Sequence, residues 1–334
     1  CIFYWSFAEF GIPALSHEQV WGTVAVIRYS EHQKLAGKVS GLFEAVLHQF
    51  VGPVHDLRRS GCSLTFPDGE HALIIAEASA LLADLPALKE CLSCKGHAGT
   101  VCCPCCLDAV QQNSAAIPLH ELTNAAVSIS NTDISAFKKH TDASIRNVVV
   151  RMDQHHRDLV AKRMTQVEYD LRSQVLGWKW TPANIVCNER FRLNVASMIM
   201  YDWAHVYVHD GLADTELGQC MKVFFSSRCK TSFKELGGYV STFTFPKRSP
   251  NPAHLFTDSA NANNSKKGSF TCTGSEFLTL APVFHRYFAK VVGARDQFMP
   301  NVRSMLAVLV VVMMLQSVRS GTIGPEELSR AITE

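Results

Sequence analysis

The chain has 334 residues, of which 47% are hydrophobic and 19% charged. That composition is globular and excludes a disordered or fibrous chain, with ample apolar material for a real core. The formal net charge is only +2, so no global field draws in nucleic acid, and any DNA-binding surface has to be local.

Cys1-Ile2-Phe3-Tyr4-Trp5 carries neither a basic leader nor an alanine-type cleavage site, which argues against a secretory signal. A first residue other than Met leads us to expect a fragment or a processed product. Residues 1–36 mix aromatics, Gly and Pro around one strand-like run, Thr23 to Ile27. From 38 to 51, Leu42, Phe43, Val46, Leu47 and Phe50 fall at helical spacing. Phe66-Pro67-Asp68-Gly69 reads as a turn. His71 to Ala83 is largely small or apolar, and period alone does not separate strand from helix there. Asp84 closes the run, and Pro86 marks a boundary or the first turn of a new helix.

Residues 91–106 hold a cysteine cluster. Residues 107–136, punctuated by Pro118, read as a polar connection with a weak helix at most. Residues 138–176 are expected to be helical with alternating charge, and 177–182 to be a break. Ser197 to Tyr201 is a short apolar run ending at Asp202. Residues 245–269 are expected to form a long polar loop, with helices beyond it. The longest apolar run, Met305 to Leu315, is too short to cross a bilayer and reads as a buried core helix, so no membrane partner is expected. A last amphipathic piece opens at Gly324-Pro325.

Four patterns could carry chemistry. Leu81-Leu82-Ala83-Asp84 and Ile199-Met200-Tyr201-Asp202 each end an apolar segment on a carboxylate. Such carboxylates can converge on Mg²⁺ or Mn²⁺, which needs few hard oxygen ligands because it keeps several waters. Each can equally cap the next helix. Asp202 and His205, three apart with His209 beyond, share a helical face. They could orient a phosphate or a water, or be a His satisfied locally. Cys91, Cys94, Cys103 and Cys106 form two C-x-x-C pairs separated by eight residues. Four thiolates suit a closed Zn²⁺ site, with Cys102 and Cys105 giving a second register and His97 a spare ligand. Buried or free cysteines are the alternative. The chain's 12 cysteines are bunched rather than spread, which favours metal ligation or reduced intracellular thiols over a disulfide framework. Lys138, Lys139, Arg151, Arg157, Lys162 and Arg163 could track a phosphate backbone, although Asp142, Asp153 and Asp158 interleave as on a solvated helix face. Trp178 and Trp180 could stack on bases or belong to the core. There is no G-x-G-x-x-G, P-loop or G-x-S-x-G, and His120-Glu121 stops short of H-E-x-x-H.

Taken in order, Asp84-Leu85-Pro86-Ala87, Lys95-Gly96-His97-Ala98-Gly99, Cys103-Pro104-Cys105-Cys106 and Asp202-Trp203-Ala204-His205 resemble the motif series of CACTA-type DNA transposases, the En/Spm and Plavaka-like relatives. The resemblance spans roughly residues 60–220. It implies an α/β, RNase H-like core with a mixed sheet and a large helical insertion or C-terminal helical region. It also implies a DDE-type acidic site that cleaves and transfers DNA strands with Mg²⁺ or Mn²⁺. Asp84 matches the second acid; Asp202 and His205 match an Asp-x-x-His element in which Ala204 replaces Met. Glu276 is the candidate last acid, because it opens a helix after the polar loop. The family's first Asp lies on an earlier strand, whereas the first Asp here is Asp56. We therefore expect a core incomplete at its N-terminus and a chain that does not cleave DNA by itself. The expected organisation is residues 1–110 as part of the core with the cysteine cluster, and 111–196 as a helical connection. A core segment at 197–225 and a helical C-terminal region at 226–334 follow. Transposon-end DNA, a possible homo-oligomer and a nuclear location are implied as well. A non-catalytic zinc-binding module contacting DNA or protein, a decayed or domesticated transposon remnant, is the alternative.

Overall fold

A computed structural model describes residues 2–15, 17–52, 56–111, 126–182, 184–209, 211–226, 232–245, 252–267, 269–292 and 299–333. Pro118 and His120-Glu121 lie outside the described residues, as do 246–251 and 268 of the expected polar loop. The architecture is mixed α/β, mainly helical, with four two-stranded sheets among the described residues. Residues 1–6 and 21–201 form one compact unit; residues 7–20 and 202–334 form another.

In the first unit, β1 (Ile2–Trp5) pairs antiparallel with β2 (Gly22–Val26), the strand expected from the Thr23–Ile27 run. Helix α1 (Lys38–Phe50) turns Val39, Phe43, Val46 and Leu47 inward; of the residues read at helical spacing Phe43, Val46 and Leu47 are buried, and Leu42 and Phe50 are partly so. β3 (Cys62–Thr65) and β4 (His71–Ile74) make a hairpin around the predicted turn. There Phe66 donates to the Glu70 carbonyl at 2.8 Å, and Gly69 takes φ +86°, a conformation costly for residues with a Cβ. The ambiguous stretch from His71 to Ala83 resolves as two strands, β4 and β5 (Leu81–Ala83). Helix α2 (Leu85–Leu92) follows at once.

Beyond the short parallel pair β6 (Ala109–Val110) and β7 (Val127–Ser128), helices α3 (Asp142–Val160) and α4 (Gln166–Leu176) each start from a capping box, Thr141/Ser144 and Thr165/Glu168. In each box a side chain satisfies a backbone N–H that the first turn leaves without an intrahelical partner. Ile145, Val148, Val149 and Met152 form the buried stripe of α3. Gly177 ends α4 at φ +71°, and a Cβ there would collide with the Val101 carbonyl. The chain then returns through β8 (Ile199–Tyr201), which pairs parallel to β5 in the register Leu81↔Ile199, Leu82↔Met200 and Ala83↔Tyr201. Leu47, Leu92, Ile145, Met152, Trp178, Ile185 and Phe191 belong to the core of this unit. Trp178 is therefore a core residue, 1% exposed.

In the second unit the helices are α5 (Leu212–Ser226), α6 (Phe233–Val240), α7 (Asp258–Lys267), α8 (Gly274–Tyr287), α9 (Met299–Arg319) and α10 (Pro325–Thr333). The expected polar loop at 245–269 is corrected by α7. This helix has no apolar stripe to betray it in sequence. It is anchored instead by buried Asn264, whose Oδ1 accepts from the Thr271 N–H at 3.1 Å. Phe277, Leu280 and Phe284 of α8 pack with Leu217, Phe270, Met305 and Leu309. Burying each large side chain is worth about 1.5–3 kcal/mol. Pro282 sits inside α8 and cannot donate to the carbonyl of Leu278. The Gln316 amide from α9 reaches that carbonyl at 3.4 Å, so the bond lost to proline is replaced by a neighbouring helix.

The reading of Met305–Leu315 as a buried helix too short to cross a bilayer needs correction in its length, because the helix runs from Met299 to Arg319. Val302, Met305, Leu309 and Val312 make one buried stripe, but only 22% of the window Pro300–Val318 is buried. That window is long and apolar enough to cross a membrane by length and composition. A single helix of this kind also occurs as a core helix of soluble proteins.

Candidate functional site

Strands β5 and β8 end in register at Ala83 and Tyr201, and the next residue of the chain after each is an aspartate. Asp84 is the N-cap of α2: its Oδ1 accepts from the Ala87 N–H at 2.7 Å, with Pro86 in the first turn. The capping role allowed by the sequence is therefore present, and it engages only one of the two carboxylate oxygens.

Asp202 opens a different kind of turn. Its Oδ1 accepts from the Ala204 N–H at 2.9 Å, and its Oδ2 lies 2.7 Å from His205 Nδ1. An ionised carboxylate only accepts, so Nδ1 carries the hydrogen and Nε2 is the basic nitrogen. Ala204–Val208 is a π-helical turn, closed by the His209 N–H on the Ala204 carbonyl at 2.8 Å. Such turns are rare and often occur at functional sites. Gly211 follows where a Cβ would meet the carbonyls of His205 and Val206. The rings of His205 and His209 stand edge to face at 5.7 Å, and His209 Nδ1 lies 3.2 Å from the Cys272 carbonyl. The local arrangement is an aspartate-oriented histidine with a half-exposed ring, able to hold or move a proton at Nε2.

Glu276 has a different environment. Its Oε2 accepts from the Thr273 N–H and the Thr273 hydroxyl, both at 2.7 Å, in the capping box of α8. His254 Nε2 lies 3.1 Å from its Oε1. Burial pushes the carboxyl upward, but the Thr273 bonds and His254 outweigh it and hold the group below the usual glutamate range. Oε2 is thus filled by two donors within the protein, whereas Oε1 faces His254 alone.

The cysteines divide by environment. Cys91 and Cys94 are 3% exposed, and burial raises their thiols to about 12 and about 11 respectively. Cys102, Cys103, Cys105 and Cys106 are half-buried around Pro104. Cys106 N–H donates to the Cys103 carbonyl at 3.4 Å, closing a β-turn with Pro104 at its second position. The Cys105 thiol donates to the Tyr201 hydroxyl oxygen at 3.7 Å. The neighbouring Cys105 side chain, reinforced by the backbone N–H groups of Cys105 and Cys106, lowers the Cys103 thiol to about 5. Burial and the neighbouring Cys103 charge raise Cys106 to about 12. Among the described residues no three His, Cys, Asp or Glu side chains stand as a group able to hold a metal ion, the expected set of Cys91, Cys94, Cys103 and Cys106 included.

Two arginines of the basic stretch are ion-paired with carboxylates of α3. Arg157 bonds Asp153, and Arg163 reaches Asp158 at 2.7 Å. Lys139 bridges the backbone of Cys106, and the Lys138 N–H donates to Asp108 at 3.0 Å. Trp180 stacks flat on His156 at 3.6 Å and donates to Asp153 at 3.1 Å. Its ring is thereby occupied by the protein. Arg151 and Lys162 are the remaining members of the expected patch; Lys162 is exposed and takes φ +57° just past α3.

This chain matches no family model, no curated protein and no solved structure. Its functional reading therefore rests on the residues themselves. Three partnerships had no local signature in the sequence: Tyr201 with Cys105, His254 with Glu276, and Trp180 with His156. Each joins residues brought together by the fold.

Proposed function

We propose that this chain derives from a cut-and-paste DNA transposase of the CACTA type, built on an RNase H-like core, that cleaves and transfers DNA strands with Mg²⁺ or Mn²⁺ in its intact form. In the first unit Asp84 is a metal-ligating carboxylate; in the second Asp202 is another, with His205 as the group that holds a proton or orients a water. Transposon-end DNA is the substrate and the nucleus the place of action. The observation that carries the reading is the parallel register of β5 and β8, two short apolar strands each followed by an aspartate. The hydrogen bond from His205 to Asp202 and the motif order along the chain support it.

The donors fit a hard cation in part. Asp84 keeps one carboxylate oxygen outside its cap, and each Asp202 oxygen has a second lone pair beyond its bond to Ala204 or His205. When bound, such an ion supplies positive charge to the attacking and leaving oxygens of a phosphodiester. Glu276 remains the candidate last acid because it opens a helix after the polar stretch; its Oε2 is filled by Thr273, and its Oε1 faces His254 alone.

The test uses Mn²⁺ as probe and electron paramagnetic resonance as readout, on the full chain and on Asp84→Asn, Asp84→Ala and Asp202→Asn. Asn caps a helix about as well as Asp, whereas Ala costs about 1 kcal/mol. Asp84→Asn is therefore expected to keep the unfolding midpoint and lose Mn²⁺, and Asp84→Ala to lose both. Equal Mn²⁺ binding by the parent chain, Asp84→Asn and Asp202→Asn would end the proposal.

A further inference from the structure

We infer that Cys103 and Cys106 form a reversible dithiol–disulfide site that exchanges with low-molecular-weight disulfides of the glutathione class. The site lies within the first unit and is independent of the transposase reading.

Four observations converge on this pair. Pro104 occupies the second position of the turn from Cys103 to Cys106, where its fixed φ pre-organises the bend. The turn is closed by the Cys106 N–H on the Cys103 carbonyl at 3.4 Å. A β-turn holds its end Cα atoms within about 7 Å, and a disulfide spans about 4.4–6.8 Å between Cα atoms, so the bond can form without moving the chain far. The Cys106 backbone also bridges that of Lys139, which fixes the far end of the turn. All four thiols from Cys102 to Cys106 are reduced and partly open to solvent, whereas Cys91 and Cys94 are enclosed by the core. Pairings of Cys103 with Cys105, or of Cys105 with its neighbour Cys106, would close smaller rings away from the favoured disulfide geometry. Cys105 has another role: its thiol donates to the Tyr201 hydroxyl oxygen at 3.7 Å.

The chemistry balances without a metal or cofactor. The Cys103 sulfur attacks one sulfur of the small disulfide, its proton passes to water, and one small thiol leaves. The Cys106 sulfur then attacks Cys103, losing its own proton and releasing the second small thiol. Two electrons and two protons pass from the protein dithiol to the small disulfide. One protein disulfide and two small thiols result.

The experiment treats the full chain, reduced and desalted without oxygen, with oxidised glutathione, then blocks free thiols and maps peptides by mass. The expected result is loss of two hydrogens within the Cys102–Leu107 peptide, restored by dithiothreitol, while exposed Cys62 and Cys187 take the blocking reagent. Cys106→Ser should trap glutathione on Cys103. Three outcomes overturn the inference. One is a cluster that stays fully reduced while Cys62 or Cys187 reacts. Another is a bond from Cys103 to Cys105 in the parent chain. The third is a chain that arrives with one equivalent of zinc and with Cys103 and Cys106 shielded from the blocking reagent. The parent-chain map decides the matter even if the serine variant fails to fold.

Discussion

Lowering the pH from 7 to 5 should destabilise this protein through one buried histidine. His140 is 7% exposed. Its Nδ1 lies 2.8 Å from the Ser144 hydroxyl, while its Nε2 is buried with no hydrogen-bond partner. Burial lowers its pKa from 6.5 to about 4, against a smaller opposing pull from Asp108. Between those values the unfolded chain binds a proton that the folded chain refuses. The ring's contribution is therefore complete above pH 6.5 and is lost as the pH falls toward 4. Linkage over those two values gives a loss of about 2 kcal/mol between pH 7 and pH 5. That is about thirtyfold in the unfolding equilibrium. The assay is urea unfolding at both pH values for the parent chain and for His140→Phe, which keeps a ring and removes the titration. The difference between the two proteins should shrink or reverse by about 2 kcal/mol at pH 5. Parallel losses in both would refute the assignment of the proton to His140.

Gln316→Leu should cost about 1–3 kcal/mol, because the Leu278 carbonyl orphaned by Pro282 loses its donor; a thermal melt checks it, and Pro282→Ala in the same background should recover part of the loss. Thr273→Ala should cost about 1 kcal/mol by removing the cap of α8. It should also raise the pH at which Glu276 protonates, since the Thr273 hydroxyl is one of the donors that depress it, while the backbone N–H at 273 keeps its share; carbon-detected NMR titration follows that carboxyl directly. Gly177→Ala should destabilise by more than the roughly 1 kcal/mol of an ordinary helix-end glycine. The added methyl meets the Val101 carbonyl as well as a positive φ, and an unchanged melting temperature would contradict that geometry.

Elements with a strong local signal were legible in the sequence. The apolar spacing of Val39 to Leu47 and the hairpin turn at Phe66–Gly69 each carried their cause within a few residues. Asp84 with Pro86 announced a helix start, and the structure uses both in that way. Helix α7 was hidden because its stabilisation comes from one buried asparagine rather than an apolar face. The run from His71 to Ala83 stayed ambiguous because parallel and antiparallel partners, not period, decide it. Of the candidate site, the His205–Asp202 pair followed from spacing, since three residues is one helical turn. The Glu276 bond to His254 and the Tyr201 contact with Cys105 did not, because distant residues supply the partners. Cysteine spacing likewise suggested one four-thiol set, whereas burial sorts Cys91 and Cys94 from the turn around Pro104.

The route of the chain has a practical consequence for anyone dissecting it. Residues 7–20 group with 202–334, while the strands on either side of them, Ile2–Trp5 and Gly22–Val26, pair with each other in the other unit. A gene cut after Tyr201 would not yield two self-sufficient halves. The longer product, residues 1–201, would carry an orphaned fourteen-residue excursion, and its counterpart would lack that same piece. Clean separation calls for replacing residues 7–20 by a tight link between the two strands and grafting the excised segment onto the remainder.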